Sequence, residues 1–224
     1  PSFVQARRLG LSDRCFIGHS RLNKALGKFK DVEFEIEHMT FQLNPDMPKD
    51  GIERSKYLEI KFGGKKNAQP MYDRMTEEAK KEGLEFNLDK IKKTPNTVSS
   101  HILINLGKKY NTQTKILENL YQSYFIKSLD IGNENILAKI GKENGINENQ
   151  IRSAFNLREN IDQVNSYSQI ARQKGINGVP FFEIGKNFIS GAQSVTKNKM
   201  GALAGPQNEG FHQLKRQLKK RTKN

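Results

Sequence analysis

No stretch between residues 52 and 175 is typical of a β-strand, and this constrains the fold more than any other feature of the chain. Apolar residues recur there every three or four positions, as in amphipathic helices, and short breaks rich in Gly, Asn or Pro separate the segments. The pattern predicts helices at 53–61, 68–82, 97–109, 112–127, 133–144, 147–156 and 159–174. The chain must therefore accommodate a large helical block between two shorter ends.

Both ends of the chain, in contrast, combine helix and strand patterns. Residues 16–29 have helical apolar spacing, and residues 32–43 alternate between apolar and Glu side chains, as in a half-buried strand. Two apolar runs at 181–184 and 187–189, joined at Gly185–Lys186, predict a β-hairpin. Residues 211–218 predict a last amphipathic helix.

A divided α/β domain explains this order most simply. Residues 1–50 and 176–224 would form an α/β domain whose two parts pair, and residues 51–175 would form an all-helical insertion domain. Residues 1–14 have neither clean alternation nor a helix cap, so no first strand is predicted there. The segment 193–210 predicts a flexible loop without assignable chemistry.

The net charge of +14 is unevenly distributed and does not favour a nucleic-acid partner. Eight basic residues and one acidic residue lie in 194–224, and no aromatic residue lies among the basic residues of 215–224 to stack on bases. The other basic residues are scattered among acidic and amide side chains. No apolar run approaches the roughly 20 residues that span a bilayer, so no membrane association is expected.

The single cysteine, Cys15, excludes an intramolecular disulfide in this chain and fits a reducing compartment. No basic stretch followed by an apolar run and a cleavage site signals secretion, so we expect a cytoplasmic location.

Cys15 precedes the first predicted helix, where unpaired backbone N–H groups and the helix dipole stabilise a thiolate. Far along the chain, Val179–Pro180 directly precedes a predicted strand. If this bond were cis, the Val179 backbone would present its N–H and C=O to an extended peptide. Each signal is weak alone, and the combination predicts an active site where the two ends of the chain meet.

Six collinear segments between residues 15 and 193 closely resemble the FrnE-like branch of the DsbA family. They are CFIGHSRLNKAL (15–26), FQLNPDMP (41–48), EGLEFN (82–87), PNTVSSH (95–101), GINGVPFFEIG (175–185) and ISGAQ (189–193). The resemblance implies a thioredoxin-like fold with a helical insertion and thiol–disulfide oxidoreductase activity on protein or small-molecule thiols and disulfides. It also implies that a cis-proline loop at Val179–Pro180 binds substrate.

In that family the first helix opens with Cys-Pro-Trp-Cys, in which the first Cys is the nucleophile and the second resolves the mixed disulfide. By this resemblance Cys15 takes the resolving position, Ser12 stands at the position of the nucleophile, and Asp13–Arg14 replace Pro-Trp. Two thiols are needed to carry two electrons as an intramolecular disulfide, so the activity of this chain is in doubt.

Three hypotheses remain open. Ser12 could hold a glutathione thiolate, as a helix-start Ser does in the kappa-class glutathione transferases and 2-hydroxychromene-2-carboxylate isomerases; glutathione is then the one possible cofactor. The chain could be a non-catalytic remnant that binds peptides. Residues 1–14 could also be the product of a shifted reading frame. The genetic code permits codons for residues 10–15 from which the removal of two bases gives Val-Cys-Pro-Trp-Cys. Such a shift would also explain the missing first strand.

The remaining polar candidates are Asn96 and His101, which match a family segment facing the active site. Asn96 and Thr97 are better explained as a helix N-cap than as substrate contacts, whereas His101 fits either role equally. His19 is predicted to lie on a solvent-facing turn. His38 and His212 have no companions at ligand spacing, so no metal site is predicted.

Overall fold

The computed structural model describes residues 2–30, 32–184 and 187–198. A four-stranded sheet has the order β2-β1-β5-β6; β1 and β2 are parallel, and the other pairs are antiparallel. Its strands are β1 (Ser2–Leu9), β2 (Val32–Met39), β5 (Phe181–Ile184) and β6 (Asn187–Ser190), and helix α1 (Asp13–Leu26) connects the first two. The thioredoxin-like α/β part predicted from the sequence is confirmed.

Strand β1 corrects the expectation that residues 1–14 contain no first strand. It pairs with β2 from Ser2 opposite Val32 to Leu9 opposite Met39, and its last four residues also pair with β5. Pairing on both sides satisfies the backbone regardless of the irregular side-chain pattern, because strand preference depends strongly on context. A missing strand therefore no longer supports the shifted-frame hypothesis.

Helix α1 packs on one face of the sheet through Leu22 and Leu26, which form a cluster with Phe29, just after the helix, and with residues of β5 and β6. The alternation seen in β2 fits this arrangement, since Phe34 and Ile36 pack against the cluster and Glu33 and Glu35 are exposed. The hairpin turn at 185–186, the predicted helix at 211–218 and most of the predicted loop at 193–210 lie outside the described residues.

The insertion is formed by seven α-helices in the described chain, at nearly the predicted bounds. They are α2 (Arg54–Phe62), α3 (Lys65–Lys81), α4 (Val98–Gly107), α5 (Gln113–Tyr121), α6 (Glu134–Glu143), α7 (Glu148–Asn156) and α8 (Arg158–Gln173). The stretch predicted as one helix over 112–127 changes at Gln122 into a five-residue π-helix. A two-residue antiparallel pair, β3 (Ile52–Glu53) and β4 (Lys93–Thr94), was not predicted.

The largest apolar core joins the first turns of α1 to the insertion. The Phe16 ring stacks on Tyr121, with centroids 4.8 Å apart, and on Phe86, with centroids 5.7 Å apart. Aromatic stacking of this kind fixes the position of the N-terminal end of α1 on the helical part. Among the described residues, no helix is both long and apolar enough to cross a bilayer.

Candidate active site

Ser12 caps the N-terminus of α1 and hydrogen-bonds to Cys15 in two ways. Its Oγ accepts a hydrogen bond from the Cys15 backbone N–H at 3.2 Å, and the hydroxyl donates to Cys15 Sγ at 3.1 Å. The thiol in turn donates to the Leu9 carbonyl oxygen at 3.8 Å. Ser N-caps are preferred because the side chain satisfies an unpaired N–H of the first turn.

The Cys15 thiol is buried behind Ser12, with only 2% of the residue exposed. Burial raises the pKa of this thiol to about 12, although the hydrogen bonds from and to Ser12 act in the opposite direction. Because the thiolate is the nucleophile in thiol–disulfide exchange, Cys15 is a poor nucleophile at neutral pH.

The Val179–Pro180 peptide bond is cis and lies against the start of α1. A Cβ atom added at Gly18 would come within 2.9 Å of Pro180 Cγ, and one added at Gly10 within 2.5 Å of Val179 Cβ. Gly10 also has φ of +104°, which favours glycine. Within the described chain, neither the N–H nor the C=O of Val179 takes part in a hydrogen bond.

Beside this junction, a cavity of about 440 Å³ opens between the α/β part and the insertion. Ser12 and Val179 lie on its wall, whereas Cys15 does not. The insertion supplies apolar side chains to the wall; they include Phe62, Met71, Leu88, Phe125 and Ile131. A volume of this size is in the range of small-molecule sites.

The charged residues in the wall of the cavity are mainly basic, with Asp13 the one carboxylate against Arg14, Arg54 and Lys61. Helix α2 supplies Arg54, Tyr57 and Lys61 from one face, since positions 54, 57 and 61 are three and four residues apart. Sequence reasoning missed these three residues. Nothing in the local sequence distinguishes them from an ordinary solvated helix surface.

The predicted candidates Asn96 and His101 lie outside the cavity wall, although Pro95 and Thr97 are part of it. The Asn96 amide donates to the Met47 carbonyl at 2.7 Å and accepts from the Val98 N–H at 2.9 Å, so it fixes the turn before α4. His101 is 2% exposed, and no partner of its Nε2 is found in the part of the chain described. Burial lowers the pKa of His101 to about 4, although a hydrogen bond with the Phe41 backbone acts in the opposite direction.

The prediction that His19 lies on a solvent-facing turn is wrong, because this residue is 3% exposed. Its Nε2 lies 2.7 Å from Glu118 Oε1 on α5, and its ring meets Tyr121 edge-on at 5.8 Å. These partners are about 100 positions away in sequence, so the local pattern could not indicate them. Among the described residues, no group of three His, Cys, Asp or Glu side chains could hold a metal ion.

The DSBA-like thioredoxin domain family model matches residues 11–199, so the chain belongs to this family. The curated protein YwbO of Bacillus subtilis, described as uncharacterized, is 28% identical over 179 residues, which are 80% of this chain and 84% of YwbO.

Two solved structures are similar in fold. The probable DsbA oxidoreductase SCO1869 from Streptomyces coelicolor has a TM-score of 0.79 at 23% identity and covers 92% of this chain and 93% of its own. The cytosolic disulfide reductase DsbM from Pseudomonas aeruginosa, solved with GSH, has a TM-score of 0.58 at 14% identity. The match covers 96% of this chain and 99% of the DsbM chain.

Proposed function

We propose that this chain is an enzyme of the DsbA family that acts on a small thiol, such as glutathione, by holding the thiolate against Ser12. One observation carries the proposal: Ser12 lines the cavity at the N-terminus of α1, whereas the thiol of Cys15 is buried behind it. The group that an incoming sulfur atom meets is therefore a hydroxyl.

Ser12 stabilises the substrate thiolate by turning its O–H from Cys15 Sγ toward the substrate sulfur. The dipole of the α1 N-terminus adds to this stabilisation, although the N–H groups of Arg14 and Cys15 are already hydrogen-bonded to Asp13 Oδ1 and Ser12 Oγ. The Val179 N–H and C=O are available to bind the backbone of a peptide-like thiol, because they have no other partner within the described chain. The structure of DsbM with GSH supports glutathione as the first thiol to test.

Two-thiol exchange is the second candidate function, in keeping with the family's oxidoreductases. In favour of it, Ser12 Oγ lies only 3.1 Å from Cys15 Sγ, so a cysteine at position 12 would adjoin the resolving thiol. With one thiol, Cys15 could form a mixed disulfide only slowly, and an external thiol would have to release the product. We therefore propose this activity for a chain with cysteine at position 12, and not for the present one.

Glutathione binding tests the proposal directly. Titration calorimetry gives the affinity, and ultraviolet absorbance of the thiolate as a function of pH gives the pKa of the bound thiol. We expect millimolar or tighter binding, a pKa of bound glutathione below that of free glutathione, and loss of this pKa shift in Ser12→Ala. Ser12→Thr, which keeps a hydroxyl and a helix cap, should retain the shift.

Ser55→Ala is the matched control, since Ser55 is an exposed hydroxyl on α2 outside the cavity wall. The proposal would be refuted if the pKa of bound glutathione were the same in Ser12→Ala as in the parent chain. It would also be refuted if the parent chain did not bind glutathione at 10 mM, roughly the weak end of measurable affinity. Peptide binding without glutathione binding would favour the non-catalytic remnant instead.

A further inference from the structure

Arg54 is a half-buried cation that only neutral groups hold in place within the described chain. Its Nε donates to the Tyr72 hydroxyl at 2.7 Å, and a terminal nitrogen donates to Thr94 Oγ1 at 3.1 Å. The guanidinium carbon lies 5.2 Å from the ring centroid of Tyr57 and 5.4 Å from that of Tyr72. These contacts fix the plane of the guanidinium and leave its remaining N–H donors unused.

The position of Lys61 reinforces this positive charge. Its Nζ donates to the Tyr57 hydroxyl at 2.7 Å and lies 5.2 Å from the centroid of the same ring. Neither Lys61 nor Arg54 forms a salt bridge with any described carboxylate. Arg54 is partly buried whereas Lys61 is exposed, so the free-energy cost of removing a cation from water without a counterion falls on Arg54, and an anionic ligand would recover it on binding.

The wall of the cavity combines polar and apolar side chains. Ser12 and Val179 line it from the α/β part, Arg54 and Lys61 line it from α2, and its apolar residues include Phe62, Met71 and Phe125. A guanidinium with free, oriented donors matches the geometry of a carboxylate, and charge-assisted hydrogen bonds are stronger than neutral ones. The ligand that fits this arrangement has one acidic group and an apolar body.

We propose that the cavity binds an organic carboxylate with an apolar body, and that Arg54, with Lys61, recognises its acidic group. This proposal rests on the proposed function, in that the carboxylate and the reacting sulfur belong to the same substrate. It specifies the substrate class: thiols or thiol acceptors that carry a carboxylate and an apolar portion.

The test compares 2-naphthoate with its uncharged carboxamide as thiol-free probes of the same shape. Fluorescence or calorimetric titration at fixed ionic strength should show at least about tenfold tighter binding of the carboxylate. Arg54→Gln should remove this preference, Lys61→Gln should reduce it, and Arg54→Lys should retain part of it. Thermal unfolding of each variant verifies that it is folded.

Lys56→Gln provides the matched control, because Lys56 is an exposed cation of the same helix outside the cavity wall. Its effect on both probes should be less than about twofold, since long-range charge effects are screened by salt. Equal binding of the two probes, equal effects of Arg54→Gln and Lys56→Gln, or no binding of naphthoate would each overturn the proposal.

Ser12→Ala separates the two proposals. It should remove the shift in the pKa of bound glutathione, and the carboxylate should still bind more tightly than the carboxamide, because that preference depends on Arg54. If glutathione fails to bind but naphthoate shows the preference and its dependence on Arg54, the carboxylate site stands and only the thiol assignment fails.

Discussion

Two of the regions where the insertion lies near helix α1 differ in how their charged groups are paired. Toward its C-terminal end, Arg21 donates to Glu78 at 2.6 Å, to Glu82 at 2.7 Å and to the Ala192 carbonyl at 2.8 Å, and Lys24 also pairs with Glu82. At its N-terminal end, the cavity cations Arg54 and Lys61 have no carboxylate partner among the described residues.

The difference separates a structural contact from a binding site. A partly buried ion pair whose donors are satisfied holds two elements together, whereas a cation left without a counterion costs free energy in the empty protein. Changes at the Arg21 contact should therefore lower stability without altering ligand binding. Changes at the cavity should alter binding or activity with smaller effects on stability.

The largest effect is expected from restoring a two-thiol helix start with Leu11→Val, Ser12→Cys, Asp13→Pro and Arg14→Trp together. Gly10 is kept because of its positive φ and its contact with Val179. A neighbouring thiol replaces a slow bimolecular release step by an intramolecular one, and effective molarities of this kind are large. Insulin reduction should rise at least about 100-fold above the parent chain, whose turnover should be negligible.

Adding Cys15→Ser to the restored protein should abolish this gain. Robust turnover by the parent chain that survives Cys15→Ser would show that the chemistry lies elsewhere.

The second effect is a pH dependence of stability caused by His101. The folded-state pKa of about 4 lies below the ordinary value of 6.5, because burial disfavours the charged ring. As pH falls from 6.5 to 4, the unfolded chain takes up a proton that the folded chain does not, so stability falls by roughly 3 kcal/mol over this window. Urea unfolding from pH 7 to 4 measures this decline.

His101→Phe removes the titrating ring and should flatten the profile between pH 6.5 and 4. An unchanged slope in this variant would mean that His101 is already protonated in the folded state or does not contribute.

The third prediction breaks the paired contact itself. Arg21 is 14% exposed and Glu82 is 10% exposed at the side chain, so Arg21→Met removes the cation that Glu78 and Glu82 share and leaves them only the more exposed Lys81 and Lys24. We expect the free energy of unfolding to fall by about 2 kcal/mol, a discounted value for a partly buried pair. Glutathione and naphthoate affinities should stay within about twofold, since neither Glu lines the cavity. Loss of binding at unchanged stability would reverse the assignment of the two contacts.

The helices of the insertion could be predicted from the sequence because their apolar period and their breaks are local signals. Strand β1 could not, because its stability comes from β2 and β5, which lie far from it in sequence. Cys15 and Val179–Pro180 could be proposed because a helix start and an X-Pro before a strand were considered together, whereas Ser12 was identified only through the family resemblance. Arg54 and Lys61 acquire a role only because α2 packs across the cavity, which no local pattern encodes.

The smallest expected effect is that of Glu78→Gln on the paired contact. Hydrogen bonds from Lys81 and then Arg21 lower the pKa of Glu78 to about 2, below the ordinary 4.5. The stabilisation is therefore complete above pH 4.5 and is lost as pH falls toward 2. The side chain is 31% exposed, so solvent screening limits the stability lost in Glu78→Gln at pH 7 to less than about 1 kcal/mol.

Urea unfolding between pH 5 and 2.5 should show a shallower decline in the free energy of unfolding for Glu78→Gln than for the parent chain. Glu77→Gln, an exposed neighbour on α3 without a salt bridge in the described chain, should follow the parent profile. If both variants flatten it equally, net charge and not the Arg21 contact determines the acid sensitivity of this end of the helix.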